Sequence, residues 1–276
     1  MLVDPYNLAE VQWPDTPFDL MQSFLLVARR GSESHGTYVP STDPNSIDDR
    51  DLMGVCVPPV AWTLGLRRWE GAESIKGVWD VVLYDFKKFI RLLCKQNPNV
   101  IGMFWLERED YLYVSDEAQL LIENRDVFRC RDAAYASFAG YVQSQLHKMR
   151  TGAYQGYMGA KRKALVDTHG FDRKNAAHLI RLLHMGEEYQ RTGMLFVRRT
   201  WDREMLIQIK TGNGGDWSLN RIQSYAEECF ENMRRSANRS VLPKMINEDR
   251  VNDLVVKIMQ RRVSDIVSGA HVSAGG

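Results

Sequence analysis

The chain has 276 residues, room for one large domain or two small ones around a sizeable core. Its 44% hydrophobic and 26% charged content is that of a soluble globular protein, and no apolar run reaches the about 18 residues that a membrane span needs. A net charge of +1 excludes a global field that would draw the chain onto nucleic acid or a membrane. The four cysteines, Cys56, Cys94, Cys130 and Cys229, form no CxxC pair, which excludes zinc and redox motifs built on one. Sparse thiols, and a start (Met1 to Pro5) without the basic and apolar blocks of a leader, predict a cytoplasmic chain.

In chain order, Phe24 to Ala28 is a short apolar run that ends at Arg29-Arg30-Gly31-Ser32, which predicts a buried strand entering a tight turn. Leu52 to Val57 reads as a second strand, stopped by Pro58-Pro59. Trp79 to Tyr84, rich in β-branched and aromatic residues, reads as a third. Asp85 is placed to cap a helix whose apolar face is Phe86, Phe89, Ile90, Leu92 and Leu93. Asn97-Pro98-Asn99 ends that helix. Val100 to Leu106 and Tyr111 to Val114 read as further strands.

From Asp116 the spacing becomes helical: Glu117 to Asn124, Arg131 to Met149, Lys174 to Thr192, Asn220 to Ala237 and Asn247 to Val267. Thr151 to Gly170 is predicted as a loop, Arg191-Thr192-Gly193 as a helix end, and Thr211 to Asp216 as a flexible turn. The expected fold is therefore α+β. Residues 1–115 form an N-terminal mixed β-sheet core with helices, 116–267 a helical domain, and 268–276 a flexible tail.

Two features in the first third point to phosphate chemistry. Gly31-Ser32-Glu33-Ser34-His35-Gly36-Thr37 is a small turn that lets backbone N–H groups and a hydroxyl approach phosphate oxygens without an intervening Cβ. Asp49 and Asp51, two apart at the head of an apolar strand, point to one face and can hold a hard cation together. Two Mg²⁺ ions call for about three carboxylates. Asp80, at the head of the neighbouring strand, either supplies the third or merely begins a strand at the surface. Asp48 points to the opposite face and reads as a spare surface carboxylate; Asp43 reads as part of a turn. His35 either donates to phosphate or caps its loop.

The helical half is locally basic. Gln145 to Thr200 carries eleven Lys and Arg against four Asp and Glu. Lys174, His178 and Arg181, at i, i+4 and i+7, form one stripe able to hold β- and γ-phosphates or to neutralise departing pyrophosphate. The plainer alternative is an exposed face with a structural His178. Asp172 is placed to cap this helix, and His147 and His184 read as packing or surface groups. Tyr154 and Tyr157 could stack on bases beside Lys161-Arg162-Lys163, although a solvated loop accounts for the same residues.

The ordered set of blocks resembles the polymerase-β-type nucleotidyltransferase superfamily, in particular its bacterial and phage RNA-ligase-associated branch. It comprises Gly31 to Thr37, Asp49 to Val55, Asp80 to Leu93 with Asn97-Pro98-Asn99-Val100, and Gly170 to Leu183. The resemblance implies that Gly31 and Ser32 hold triphosphate oxygens. It implies that Asp49, Asp51 and Asp80 bind two Mg²⁺, for which Mn²⁺ can substitute, and it favours Lys174 and His178 as nucleotide contacts. Two departures stand out: a long spacing from Ser32 to Asp49, read as an insertion over Ser41 to Ile47, and Gly102 where the branch often carries an acid.

The expected activity is Mg²⁺-dependent transfer of NMP from an NTP such as ATP to an acceptor, an RNA end above all, with loss of pyrophosphate and with Asp80 as a candidate base. The competing readings are transfer to a protein or small molecule, as in toxin or antibiotic-modifying relatives, and a non-catalytic nucleotide or RNA binder. No membrane partner is expected.

Overall fold

The computed structural model describes residues 8–40, 42–43, 48–151 and 160–273. Ser41 and residues 44–47 of the inferred insertion, with Tyr154 and Tyr157, lie outside the described residues.

Short helix α1 (Leu20–Ser23), capped by the Asp19 carboxylate accepting from the Met21 and Gln22 N–H groups, leads into β1 (Phe24–Arg29). The one-turn helix α2 (Gly31–Ser34) follows, then β2 (Arg50–Cys56) and α3 (Val60–Thr63). A hairpin through Gly77, whose φ of 59° suits glycine, joins β3 (Gly71–Lys76) to β4 (Trp79–Asp85). Asp85 caps α4 (Phe86–Cys94) as expected, accepting from the Lys88 N–H at 3.1 Å.

Helix α5 (Pro98–Ile101) corrects the strand expected over Val100 to Leu106. Asn97 accepts from the Asn99 N–H at 2.9 Å, Pro98 pre-sets the first helical φ, and a 3₁₀ turn over Gly102–Phe104 continues the coil. The local start signal overrides the apolar run. Strand β5 (Tyr111–Val114) and α6 (Asp116–Glu123) complete the sheet half.

The five strands lie in the order β3-β4-β2-β1-β5. The β2–β4 pair is parallel and the other three pairs are antiparallel, so the sheet is mixed and the fold is α+β. One face packs Leu25, Met53 and Val55 on Phe86 and Phe89 of α4; the other packs Val27, Leu52 and Val81 with Val11 and Leu20.

The rest is helical: α7 (Arg131–Thr151), α8 (Ala160–His169), α9 (Arg173–Thr192), α10 (Arg203–Thr211), α11 (Leu219–Asn238) and α12 (Glu248–Ser273). Helix α8 corrects the second half of the predicted Thr151 to Gly170 loop: its glycines cluster before Ala160, and Ala160 to His169 contains no breaker. Helix α9 is the axis of this half, burying Leu179, Ile180, Leu182 and Leu183 among α7, α10 and α11. It ends at Gly193 in the left-handed region, φ 72°, as the sequence predicted. Helix α12 turns back and places Val251, Leu254 and Ile258 in the core of the sheet half. Among the described residues no helix is long and apolar enough to cross a membrane.

Candidate active site

The two halves enclose a cleft of about 800 Å³. All nine residues singled out from the sequence line it: Gly31, Ser32 and His35 from the turn, Asp49, Asp51 and Asp80 from the strands, Lys174, His178 and Arg181 from α9.

At one end lie the acids. The parallel register of β2 and β4 sets Asp51 directly opposite Asp80. The Arg30 guanidinium sits between them, 2.8 Å from Asp80 Oδ1 and 3.9 Å from Asp51 Oδ1. Burial pushes the Asp51 carboxyl up to about 6, although Arg30 and Lys174 pull against it. Asp49 does not share this position. The strand begins at Arg50, and Asp49 lies just outside it, half exposed, 3.9 Å from Lys174 Nζ.

Asp48 corrects the reading of a spare surface carboxylate. Its side chain is fully buried, accepts from the Val39 N–H at 2.8 Å and pairs with Lys210 Nζ at 2.6 Å. Asp48 precedes the strand, which begins at Arg50, so the period-2 rule does not set its direction, and it lines the same cleft as Asp51. Its carboxylate meets Lys210 of α10 rather than solvent.

Gly31 is required where it stands. Its φ is +66°, and a Cβ there would lie 2.0 Å from Asp51 Oδ2. Turn and acid are therefore in direct contact. The Ser32 Oγ is buried and has no hydrogen-bond partner among the described residues.

The helical half holds the turn by three successive carbonyls. The Arg199 N–H donates to His35 O at 2.9 Å, Arg203 Nε to Gly36 O at 2.6 Å, and Lys210 Nζ to Thr37 O. Arg30, Asp48, Arg203 and Lys210 carry no sequence signal of these tasks, because each partner is remote in the chain. Burial, with the nearby charge of Arg181, lowers the His35 pKa well below the usual range, so its ring is neutral.

Along α9, capped by Asp172 as predicted, charge is handled differently at the two ends. Lys174 Nζ lies 3.9 Å from both Asp48 and Asp49. Arg181, 5% exposed, donates to Met185 Sδ at 2.9 Å and to His178 Nδ1 at 3.0 Å. Accepting at Nδ1 makes His178 the neutral Nε2–H tautomer. Burial lowers the Arg181 pKa to about 9, which leaves it charged at neutral pH.

The acid end suits a hard divalent ion. Its donors are all oxygen, and the Asp51–Asp80 pair already cradles a cationic group. Among the described residues no three His, Cys, Asp or Glu side chains form a closed cage.

Residues 21–257 match the family described as RNA repair pathway DNA polymerase beta family (RlaP), and the chain belongs to it. No curated protein matches the chain. A solved structure, a nucleotidyltransferase-like protein from Exiguobacterium sibiricum 255-15, is similar at 7% identity. The match covers 79% of this chain and 69% of that one, with a TM-score of 0.27, too low to argue from.

Proposed function

We propose that this member of the RNA repair pathway DNA polymerase beta family transfers NMP from an NTP to an RNA end, releasing pyrophosphate. The observation that carries the reading is the Asp51–Asp80 pair, in register on adjacent parallel strands and in contact with a glycine turn that presents a buried, unpartnered Ser32 hydroxyl. Family membership supports the coarser part, a nucleotidyltransferase linked to RNA repair; the acceptor and the residue roles are our own assignment.

Asp51 and Asp80 would hold the divalent ions, with Asp49 completing the set from the rim. Two Mg²⁺ ions, or Mn²⁺ in their place, would supply charge neutralisation at the α-phosphate and the leaving pyrophosphate. The Gly31 backbone and Ser32 Oγ receive triphosphate oxygens. Lys174 neutralises charge beside them, and His35 and His178 border the same cleft as neutral groups. The acceptor oxygen bonds to the α-phosphorus as the bond to the β-phosphate oxygen breaks, and the acceptor proton passes to a carboxylate, for which Asp80 is the candidate.

Incubation of the protein with labelled NTPs, Mg²⁺ and an RNA pool should place label in RNA. The double variant Asp49→Ala, Asp51→Ala should retain its fold by circular dichroism and incorporate nothing. Undiminished labelling by that variant, or label found only on protein, would sink the assignment.

A further inference from the structure

The two ends of the cleft differ in charge balance. Near the acids, each cation has a carboxylate: Arg30 on Asp80, Lys174 beside Asp48 and Asp49, Lys210 on Asp48. Behind α9, Arg199 is matched by Glu188 and Asp202. Arg181 is the exception. It lines the cleft nine-tenths buried, yet among the described residues no carboxylate oxygen pairs with it.

Its two contacts, on Met185 Sδ and His178 Nδ1, hold the guanidinium at its own level of the helix and leave N–H donors uncommitted. That level is two turns, about 10 Å along the axis, from Lys174. The side chains placed beside it are Met185 and His178, whose ring lies 5.3 Å from that of Tyr141, while Gly102, Met103, Val197 and Leu206 line the same cleft. An apolar bay with one fixed set of donors has the make-up of a pocket for a flat, largely apolar ring with acceptors on one edge. That rise of about 10 Å from Lys174 leaves space for a ribose between phosphates beside Lys174 and a base at Arg181.

We infer that Arg181 reads the edge of the incoming nucleobase. The guanidinium is donor-only and forked, so it matches an edge with two adjacent acceptors: N7 and O6 of guanine, or N3 and O2 of cytosine. Adenine sets an amino donor beside its N1 and N7, and uracil sets an N–H between its two oxygens; each leaves a donor facing the fork or fills only one prong. His178, whose Nδ1 accepts from Arg181, fixes the guanidinium and is a positioning residue.

The inference rests on the nucleotidyltransferase reading, and the test separates the two. Binding of α,β-methylene analogues of the four NTPs to the full chain with Mg²⁺ is measured by isothermal titration calorimetry. GTP and CTP analogues should bind about ten-fold or more tighter than those of ATP and UTP. Arg181→Met should remove that preference and leave the weaker pair within two-fold. Arg181→Lys, charged but not forked, should behave like Arg181→Met. Melting temperatures of the ligand-free variants report their folding, and neither should fall. Equal binding of all four analogues, tightest binding of the ATP analogue, an unchanged ranking in Arg181→Met, or an equal loss for all four would overturn base reading alone. No binding of any analogue would overturn the nucleotidyltransferase reading and base reading with it.

Discussion

Two charge clusters flank α9, and they are built on opposite principles. Behind the helix, all five N–H donors of Arg199 are used: two on Asp202, two on Glu188 and one on Phe196 O, at 2.7–3.0 Å. His184 Nδ1 lies 2.7 Å from Asp202 Oδ2, and Trp201 Nε1 donates to Glu188 at 2.6 Å. Burial alone would raise the Asp202 carboxyl, but the His184 and Arg199 hydrogen bonds outweigh it and hold the pKa below the usual range. In front of the helix, Arg30, Asp51 and Asp80 make one good contact and one long one, open to the cleft. A saturated cluster is a fixture, because no atom can change partner without loss. An unsaturated one facing a cavity can exchange its guanidinium for another cation. Even the Cys229–His184–Asp202 line, which has the order of a nucleophile, base and acid, belongs to the fixture: burial pushes the thiol up to about 11.

The hardest blow to this contrast targets the saturated side. Arg199→Met leaves Glu188 and Asp202 buried without their cation and should destabilise the protein by about 3–5 kcal/mol in urea unfolding. A loss under about 1 kcal/mol would mean that the two clusters are not different in kind.

A smaller effect is expected where the open cluster meets the turn. Gly31→Ala forces a side chain into the left-handed region and against Asp51, and should cost about 2–3 kcal/mol of stability. Because the added Cβ displaces a carboxylate oxygen, Mn²⁺ binding followed by electron paramagnetic resonance should weaken as well. Intact Mn²⁺ affinity in a destabilised Gly31→Ala variant would separate the turn from the acids.

The open cluster is the more legible of the two in sequence. Asp51 and Asp80 head apolar strands, and two strand heads in parallel register must meet. The Lys174–His178–Arg181 stripe follows from helical period alone, and Asp85 and Asp172 are caps read from position. What escaped depends on remote partners. Asp48 looks like a surface acid until α10 brings Lys210 to it from 162 residues away. Helix α10 is only nine residues long, and β3 is an edge strand whose Gly-Ala-Glu-Ser-Ile-Lys lacks a buried face. Arg30 stands beside the recognised turn, but only the folded sheet puts its guanidinium between two carboxylates.

The smallest effect has the opposite sign. Asp51 is held at about 6 against an ordinary 3.8, so the folded state binds its proton more tightly than the unfolded chain does. The associated stability is fully present below about pH 4, declines as the pH rises towards 6, and is absent above it. Asp51→Asn keeps the shape without the charge, and Arg30 retains Asp80. At pH 7, in a chelator, the variant should therefore be more stable than the parent by about 1–2 kcal/mol, a gain that shrinks to nothing near pH 4. Arg199→Met, by contrast, should lose stability at both pH values. A site that becomes more stable when its charge is deleted holds that charge for something other than folding. Were Asp51→Asn less stable than the parent at pH 7, the acid end would be a structural ion pair like the one behind α9, and the cleft would lose its claim to a cation.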